Sequence, residues 1–167
     1  MPRLTVLPLL LVAACAVAPR SVALRDAASP LRSIAGYDFA RMVGDWQAAA
    51  FLAPIGTRCG AETLAIRADG AALRVTGRLC TGGGVQPVDT RAVPVGPGRL
   101  ALSGRAEDWW VIWSDHGDRT LVIAPPSGTS AVVLDRGRIS PDRLQAARDV
   151  LAFNGFDVAR LIAVPAR

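Results

Sequence analysis

The chain has 167 residues, of which 51% are hydrophobic, and this is enough apolar material for one ordinary domain with a core. Its formal net charge is +5, but all 19 basic residues are arginines spread along the sequence, which argues against a nucleic-acid-binding stripe. The single histidine excludes a metal site built from several histidines.

The amino terminus has the pattern of a cleavable signal peptide. Residues 1–14 place Arg3 before an apolar run that is shorter than the roughly 20 residues of a bilayer-spanning helix. The run ends in Leu11-Val-Ala-Ala-Cys15, which resembles the lipobox of bacterial lipoproteins. That resemblance implies that Cys15 begins the mature chain and carries lipid, palmitate included. Because Ala16 stands where an inner-membrane retention signal has Asp, we expect an outer-membrane anchor facing the periplasm.

Residues 15–35 follow without periodicity and with small, polar and proline residues, so we interpret them as a lipidated tether. Ala16-Val-Ala18 also fits ordinary signal-peptidase cleavage, although Pro19 directly after that cut disfavours it. The folded domain is expected to span residues 36–167.

The first predicted hairpin carries the two other cysteines. Strand-like segments at 62–68 and 71–77 flank Asp69-Gly70, a dipeptide typical of a two-residue hairpin turn. A turn there places Cys59 directly opposite Cys80, in a non-hydrogen-bonded pair whose Cα atoms approach to about 4.5 Å. Because an exported chain lives where disulfides persist, we predict a Cys59–Cys80 disulfide. Two unrelated buried thiols are the alternative.

Eight short segments of strand-like composition follow one another, most of them separated by short turns. Consecutive short strands suit an antiparallel up-and-down barrel, in which every strand edge is paired. The sequence therefore predicts an all-β fold built on an eight-stranded barrel. The predicted strands are Trp46–Leu52, Thr63–Ala68, Leu73–Leu79, Val85–Val95, Arg99–Ser103, Trp109–Ser114, Thr120–Ile123 and Ala131–Leu134.

One helix is predicted after the last of these strands. Ser140 is a good N-cap, Pro141 suits the first helical position, and Gly155 ends the apolar periodicity. We expect the apolar stripe of this helix to cover the barrel wall. Residues 156–164 could then return as a last short strand.

Several motifs, in this order, resemble the signatures of the lipocalin family, and together they cover about residues 36–165. The last two of them are similar to the helix and tail of the subgroup that contains bacterial lipocalins and apolipoprotein D. The matching segments are Asp38–Trp46 with its Gly-x-Trp, the aromatic strand Trp109–Asp115, the final barrel strand Val132–Arg136, the helix start Ile139–Leu144 and the tail Asn154–Leu161.

The resemblance implies an antiparallel lipocalin barrel with one C-terminal α-helix. In that fold Gly44, Trp46 and Arg136 are structural, because the tryptophan plugs one end and the guanidinium stacks on its ring. Two positions depart from the family pattern: Gln47 and His116 each stand where the family usually has tyrosine. The ligand class is therefore the property that transfers least from the resemblance.

The function that the resemblance implies is non-enzymatic binding or transport of a small hydrophobic or amphipathic ligand, such as a fatty acid or lysophospholipid. Burying an alkyl chain is worth about 0.8 kcal/mol per methylene. Strand alternation leaves two choices for the faces of Trp109, Trp110 and Trp113. The residues that we predict to line the cavity are Leu64, Ile66, Leu73, Val75, Trp110, Ile112, Val132 and Leu134.

Other functions have weaker support in the sequence. A structural or interaction lipoprotein of the outer membrane, with a filled barrel and no ligand, is the main alternative. His116 lies in a predicted turn, where solvation is more common than catalysis. Glu107-Asp108 suits a polar loop before a strand, and Gly82-Gly-Gly84 lacks the Lys-Ser or Lys-Thr of a phosphate loop. We therefore predict no catalytic residues, metal or cofactor.

Overall fold

The computed structural model describes residues 23–165, and the regular secondary structure in that part of the chain is mainly β-strand. Its strands are β1 (Gly44–Leu52), β2 (Thr63–Asp69), β3 (Ala72–Thr81), β4 (Gly84–Gly96), β5 (Arg99–Leu102), β6 (Trp109–Ser114), β7 (Thr120–Ala124), β8 (Ala131–Asp135) and β9 (Ile162–Ala163). Strands β2 to β8 pair in chain order, and β1 pairs with both β8 and β2, which closes an eight-stranded antiparallel barrel. The predicted all-β barrel is therefore confirmed.

The helix α1 (Pro141–Phe153) follows β8 and lies on the outside of the barrel. It begins where the Ser140 hydroxyl accepts a hydrogen bond from the Arg143 N–H, and it ends at the C-cap Asn154. The strand expected over residues 156–164 is shorter than predicted. A 3-10 turn at Val158–Arg160 comes first, and only the two residues of β9 pair with β1.

Antiparallel pairing places the loops at two ends of the barrel. The loops at residues 53–62, 82–83, 103–108 and 125–130 lie at one end, which we call the open end. The turns at residues 70–71, 97–98 and 115–119 lie at the other, the closed end. Each inward-facing residue can thus be assigned a height between the two ends.

Two clusters of buried apolar side chains hold the fold together. The barrel core fills the interior, and the helix-side cluster fills the space between the barrel wall and α1. Members of the barrel core include Met42, Trp46, Leu64, Ile66, Val75, Leu100, Val111, Leu121 and Leu134. The helix-side cluster includes Leu24, Leu52, Ile112, Val122, Val133, Ala147, Leu151 and Phe156.

Trp46 plugs the closed end. Its indole N–H donates to the Met42 carbonyl at 2.7 Å, and the Arg136 guanidinium lies 4.1 Å from the ring centre. Arg136 also donates to the carbonyls of Arg41 and Asp118, so its plane is fixed. Gly44 has φ +140°, and a Cβ there would lie 2.0 Å from a guanidinium nitrogen of Arg136. The close approach of Arg136 therefore requires glycine at position 44.

The described part of the predicted tether packs against the barrel, which corrects the domain boundary at residue 36. Leu24 is buried in the helix-side cluster, and the Ile34 N–H donates to the Val111 carbonyl at 2.8 Å. The Arg32 N–H donates to the Asn154 side chain at 2.8 Å. A small, proline-containing segment can satisfy its backbone on a neighbouring element without any periodicity of its own. Residues 24–34 thus belong to the folded domain.

The Cys59–Cys80 disulfide is confirmed, with the Cα atoms 5.6 Å apart. The register that led to it is wrong by two residues, because Leu64 pairs with Gly77 and Asp69 with Ala72. The turn is therefore Gly70-Ala71, with the positive φ of +61° at its first position. Cys59 lies in the loop before β2 and reaches Cys80 from there.

The predicted signal peptide (residues 1–14) and the predicted lipidation site Cys15 lie outside the described residues. Among the helices from residue 23 to residue 165, none has the length and apolar character needed to cross a bilayer.

Candidate functional site

A cavity of about 900 Å³ opens at the open end of the barrel. Its wall is made by inward-facing apolar side chains near the open ends of five strands: Leu79, Val88, Trp109, Ile123 and Val132. The rim is made by the open-end loops, including Pro54, Gly82, Gly83, Arg105, Glu107 and Thr129. The cavity is thus an apolar cup with a polar rim.

Most of the residues predicted to line the cavity lie beneath it. Val132 is part of the wall, but Leu64, Ile66, Leu73, Val75 and Leu134 belong to the packed part of the barrel core. On β8, for example, Val132 faces the cup and Leu134, about 7 Å further along the strand, is completely buried. The closed half of the barrel interior is therefore filled by side chains, and the cup occupies the open half.

Trp110 and Ile112 do not face the interior, which corrects the prediction for β6. Trp109 and Val111 occupy the inward positions, and a bulge between Val111 and Trp113 then shifts the register with β7. Ile112 packs in the helix-side cluster instead. Trp110 is half-buried, and the Arg99 guanidinium lies over it, 4.2 Å from the centre of the Trp110 ring.

The wall residues that sequence reasoning missed are Leu79, Val88, Trp109 and Ile123. Each continues the inward alternation of its own strand toward the open end, so the same period-two pattern could have found them. The pattern does not show how far along the barrel axis the side chains fill the interior. That extent depends on which facing side chains meet across the barrel.

Three charged side chains lie at the cavity rim. Asp89 forms an ion pair with Arg74 on the outside of the barrel. Glu107 is exposed, and its carboxylate lies 3.5 Å from the Thr129 hydroxyl. Arg105 is half-buried, and it donates from Nη2 to the Pro87 carbonyl at 2.5 Å. Pro87 lies on the part of β4 that extends beyond its pairing with β5, so Arg105 covers an unpaired strand edge.

A smaller cavity of about 270 Å³ lies at the closed end and is lined by Tyr37, Asp115, His116 and Asp118, among others. Burial raises the pKa of Tyr37 to about 12, and the Asp118 charge adds to the increase, so the phenol stays protonated. Burial alone would raise the pKa of Asp115, but two backbone N–H donors and Arg119 lower it below its usual value. These contacts fix a turn in which His116 is exposed.

Metal ligation has no support in the described residues. Between residues 23 and 165, no group of three or more His, Cys, Asp or Glu side chains is arranged to hold an ion.

No protein-family model matches the chain, and no curated protein matches it either. Solved structures do resemble it. The major allergen Per a 4 from cockroaches has a TM-score of 0.62 and 14% identity, over 81% of this chain and 92% of the allergen. Insecticyanin from the tobacco hornworm Manduca sexta has a TM-score of 0.60 and 14% identity, over 82% of this chain and 85% of insecticyanin. The siderocalin Ex-FABP, which functions through dual ligand specificities, has a TM-score of 0.55 and 15% identity, over 76% of this chain and 91% of the siderocalin.

At sequence identities of 14–15%, the similarity to these structures shows a shared fold and nothing more specific. The shared fold includes the barrel and spans more than three quarters of the chain.

Proposed function

The chain has the lipocalin fold, and from this premise we propose that it binds or transports a small hydrophobic or amphipathic ligand, such as a fatty acid or lysophospholipid. The observation that carries the proposal is the open cup of about 900 Å³ with its apolar wall. This volume lies within the range of small-molecule sites, which are mostly apolar with a few placed polar groups. A barrel with a filled interior, the main alternative, would leave no such space.

Ligand binding is tested by native mass spectrometry of the full chain, purified without added lipid. We expect a bound species that is released on denaturation and identified after lipid extraction. Val132→Trp should abolish the co-purified species, since the larger ring would project from the cavity wall into the cup. Circular dichroism would check that the variant is folded.

The matched control for that experiment is Val95→Trp, which introduces the same ring at an exposed position on β4 near the closed end. This variant should retain the bound species. An empty wild-type protein that also fails to take up a fluorescent fatty acid would contradict the proposed function and favour a structural lipoprotein.

The proposed setting of this activity is the bacterial envelope. The signal-peptide pattern of residues 1–14 and the lipobox ending in Cys15 support an outer-membrane lipoprotein facing the periplasm. The motifs at 139–144 and 154–161 support placing the chain with the bacterial and apolipoprotein D-like lipocalins. An anchored cup would hold its binding site close to a source of lipid.

Lipidation is tested by replacing Cys15 with Ser, which removes the thiol that would take the lipid. We expect the variant to leave the membrane fraction, measured by immunoblotting of soluble and membrane fractions. The disulfide joins Cys59 to Cys80, so replacing Cys15 leaves that bond intact. Unchanged membrane retention would count against the anchor.

We propose further that the protein is not an enzyme. The cup wall is apolar, and His116, the single histidine of the chain, lies at the opposite end of the barrel. A nucleophile at the cup would therefore have no imidazole base beside it.

A further inference from the structure

The cup contains one cationic side chain, Arg105, among the described residues that line it. Arg105 comes from the loop between β5 and β6 and lies half-buried at the rim. Its guanidinium uses one nitrogen for the Pro87 carbonyl. Across residues 23–165 it has no carboxylate partner, unlike Arg67, Arg74 and Arg91 on the outer face, which pair with aspartates.

The two carboxylates at the same rim do not neutralise Arg105. Asp89 is already paired with Arg74, and Glu107 is exposed to water. Water and dissolved ions screen an exposed charge, so Glu107 has little influence across the mouth of the cup.

Partial burial beside an apolar wall removes part of the hydration of the Arg105 guanidinium, so an anion that joins it there is favoured. Guanidinium has five N–H donors in a planar fork that matches a carboxylate or phosphate. With one nitrogen engaged by Pro87, the remaining donors can bind an oxyanion at the rim. Below that point the apolar side chains of Leu79, Val88 and Trp109 line the wall.

We propose that Arg105 binds the head group of the ligand, and that the ligand is an anionic amphiphile with a carboxylate or phosphate ester at the rim and its apolar part in the cup. This inference rests on the proposed function, because it assigns the charge of a ligand held in the same cavity. It makes Arg105 a specificity-determining residue.

The test compares three probes that share one alkyl chain: dodecanoate, dodecyl phosphate and 1-dodecanol. The delipidated full chain is titrated with each probe by calorimetry at mildly alkaline pH, where the carboxyl group is ionised. Arg105→Gln should weaken binding of dodecanoate by about 10- to 100-fold, the range for a lost hydrogen bond to a charged group. Binding of 1-dodecanol should change little. Comparing the two anions then shows which oxyanion the rim prefers.

Three further variants control this result. Arg105→Lys keeps the charge and should restore most of the dodecanoate affinity. Glu107→Gln removes a negative charge from the same loop and should tighten dodecanoate binding slightly. Arg58→Gln removes an exposed arginine at the same end of the barrel that does not line the cup, and it should leave both affinities unchanged.

The outcomes separate the two proposals. If Arg105→Gln weakens dodecanoate and 1-dodecanol equally, or weakens neither, the role of Arg105 is wrong while ligand binding stands. If no probe binds the wild-type protein, both proposals fail. Thermal unfolding of each variant, compared with the wild type, would reveal a loss of fold.

Discussion

Replacing Trp46 with Ala should lower the free energy of unfolding by about 4 kcal/mol, in the range for losing a buried tryptophan. Its side chain is 2% exposed and fills the closed end of the barrel. The substitution leaves a cavity there, removes the ring beneath Arg136 and leaves the Met42 carbonyl without its indole donor. Urea titration followed by circular dichroism would measure the change.

Trp110→Ala provides the matched control, because it removes the same side chain from a half-buried position on the outside of the same barrel. We expect it to cost about 1 kcal/mol, mainly the stacking of Arg99 on its ring. If Trp46→Ala cost no more than Trp110→Ala, the closed-end plug would not carry the stability we assign to it. Ligand affinity of the folded Trp46→Ala protein should stay close to wild type, since the cup lies at the opposite end.

Replacing both Cys59 and Cys80 with Ser should lower the free energy of unfolding by about 3 kcal/mol, the chain-entropy value for a loop of this size. The disulfide spans 21 positions in sequence and ties the loop at residues 53–62 to β3. That loop contributes Pro54 to the rim of the cup, so its release should also weaken ligand binding. Denaturant titration and calorimetry with dodecanoate would measure the two effects.

Reduction of the wild-type protein supplies an independent check on the cysteine variant. Dithiothreitol should lower wild-type stability to the level of the double variant and leave the double variant unchanged. A double variant as stable as the oxidised wild type would contradict the role of the disulfide.

The order and limits of the strands are readable from the sequence because turn residues and alternating apolar residues act locally. Every predicted strand end from Trp46 to Leu134 lies within two residues of the observed one. The hairpin register is different, since it depends on which turn position receives the positive φ. Gly70 occupies the first position of the two-residue hairpin turn instead of the second. This shifts the pairing of β2 with β3 by two residues.

The site was harder to predict than the fold because it depends on contacts between distant strands. The sequence shows that Val132 and Leu134 share a face of β8, but not that packing across the barrel covers Leu134 and stops below Val132. The bulge in β6 is also set by its partner strand, so Ile112 leaves the inward face without any local signal. The role of Arg105 becomes visible only when the structure shows that it lines the cup without a carboxylate partner in the described part of the chain.

The start of the folded domain lies beside the mouth of the cup. Arg25 packs against Gly128 of an open-end loop so closely that a Cβ at Gly128 would lie 2.7 Å from the Arg25 Cδ. Eight positions separate Cys15 from Ala23, and a chain of that length reaches at most about 30 Å. With Cys15 lipidated as we propose, this short linker would keep the mouth of the cup near the bilayer surface. The effective concentration of the cup at the membrane would therefore be high. Each protein molecule would then exchange ligand with the membrane beside it. The rate of exchange per molecule would not depend on how much of the protein the cell makes.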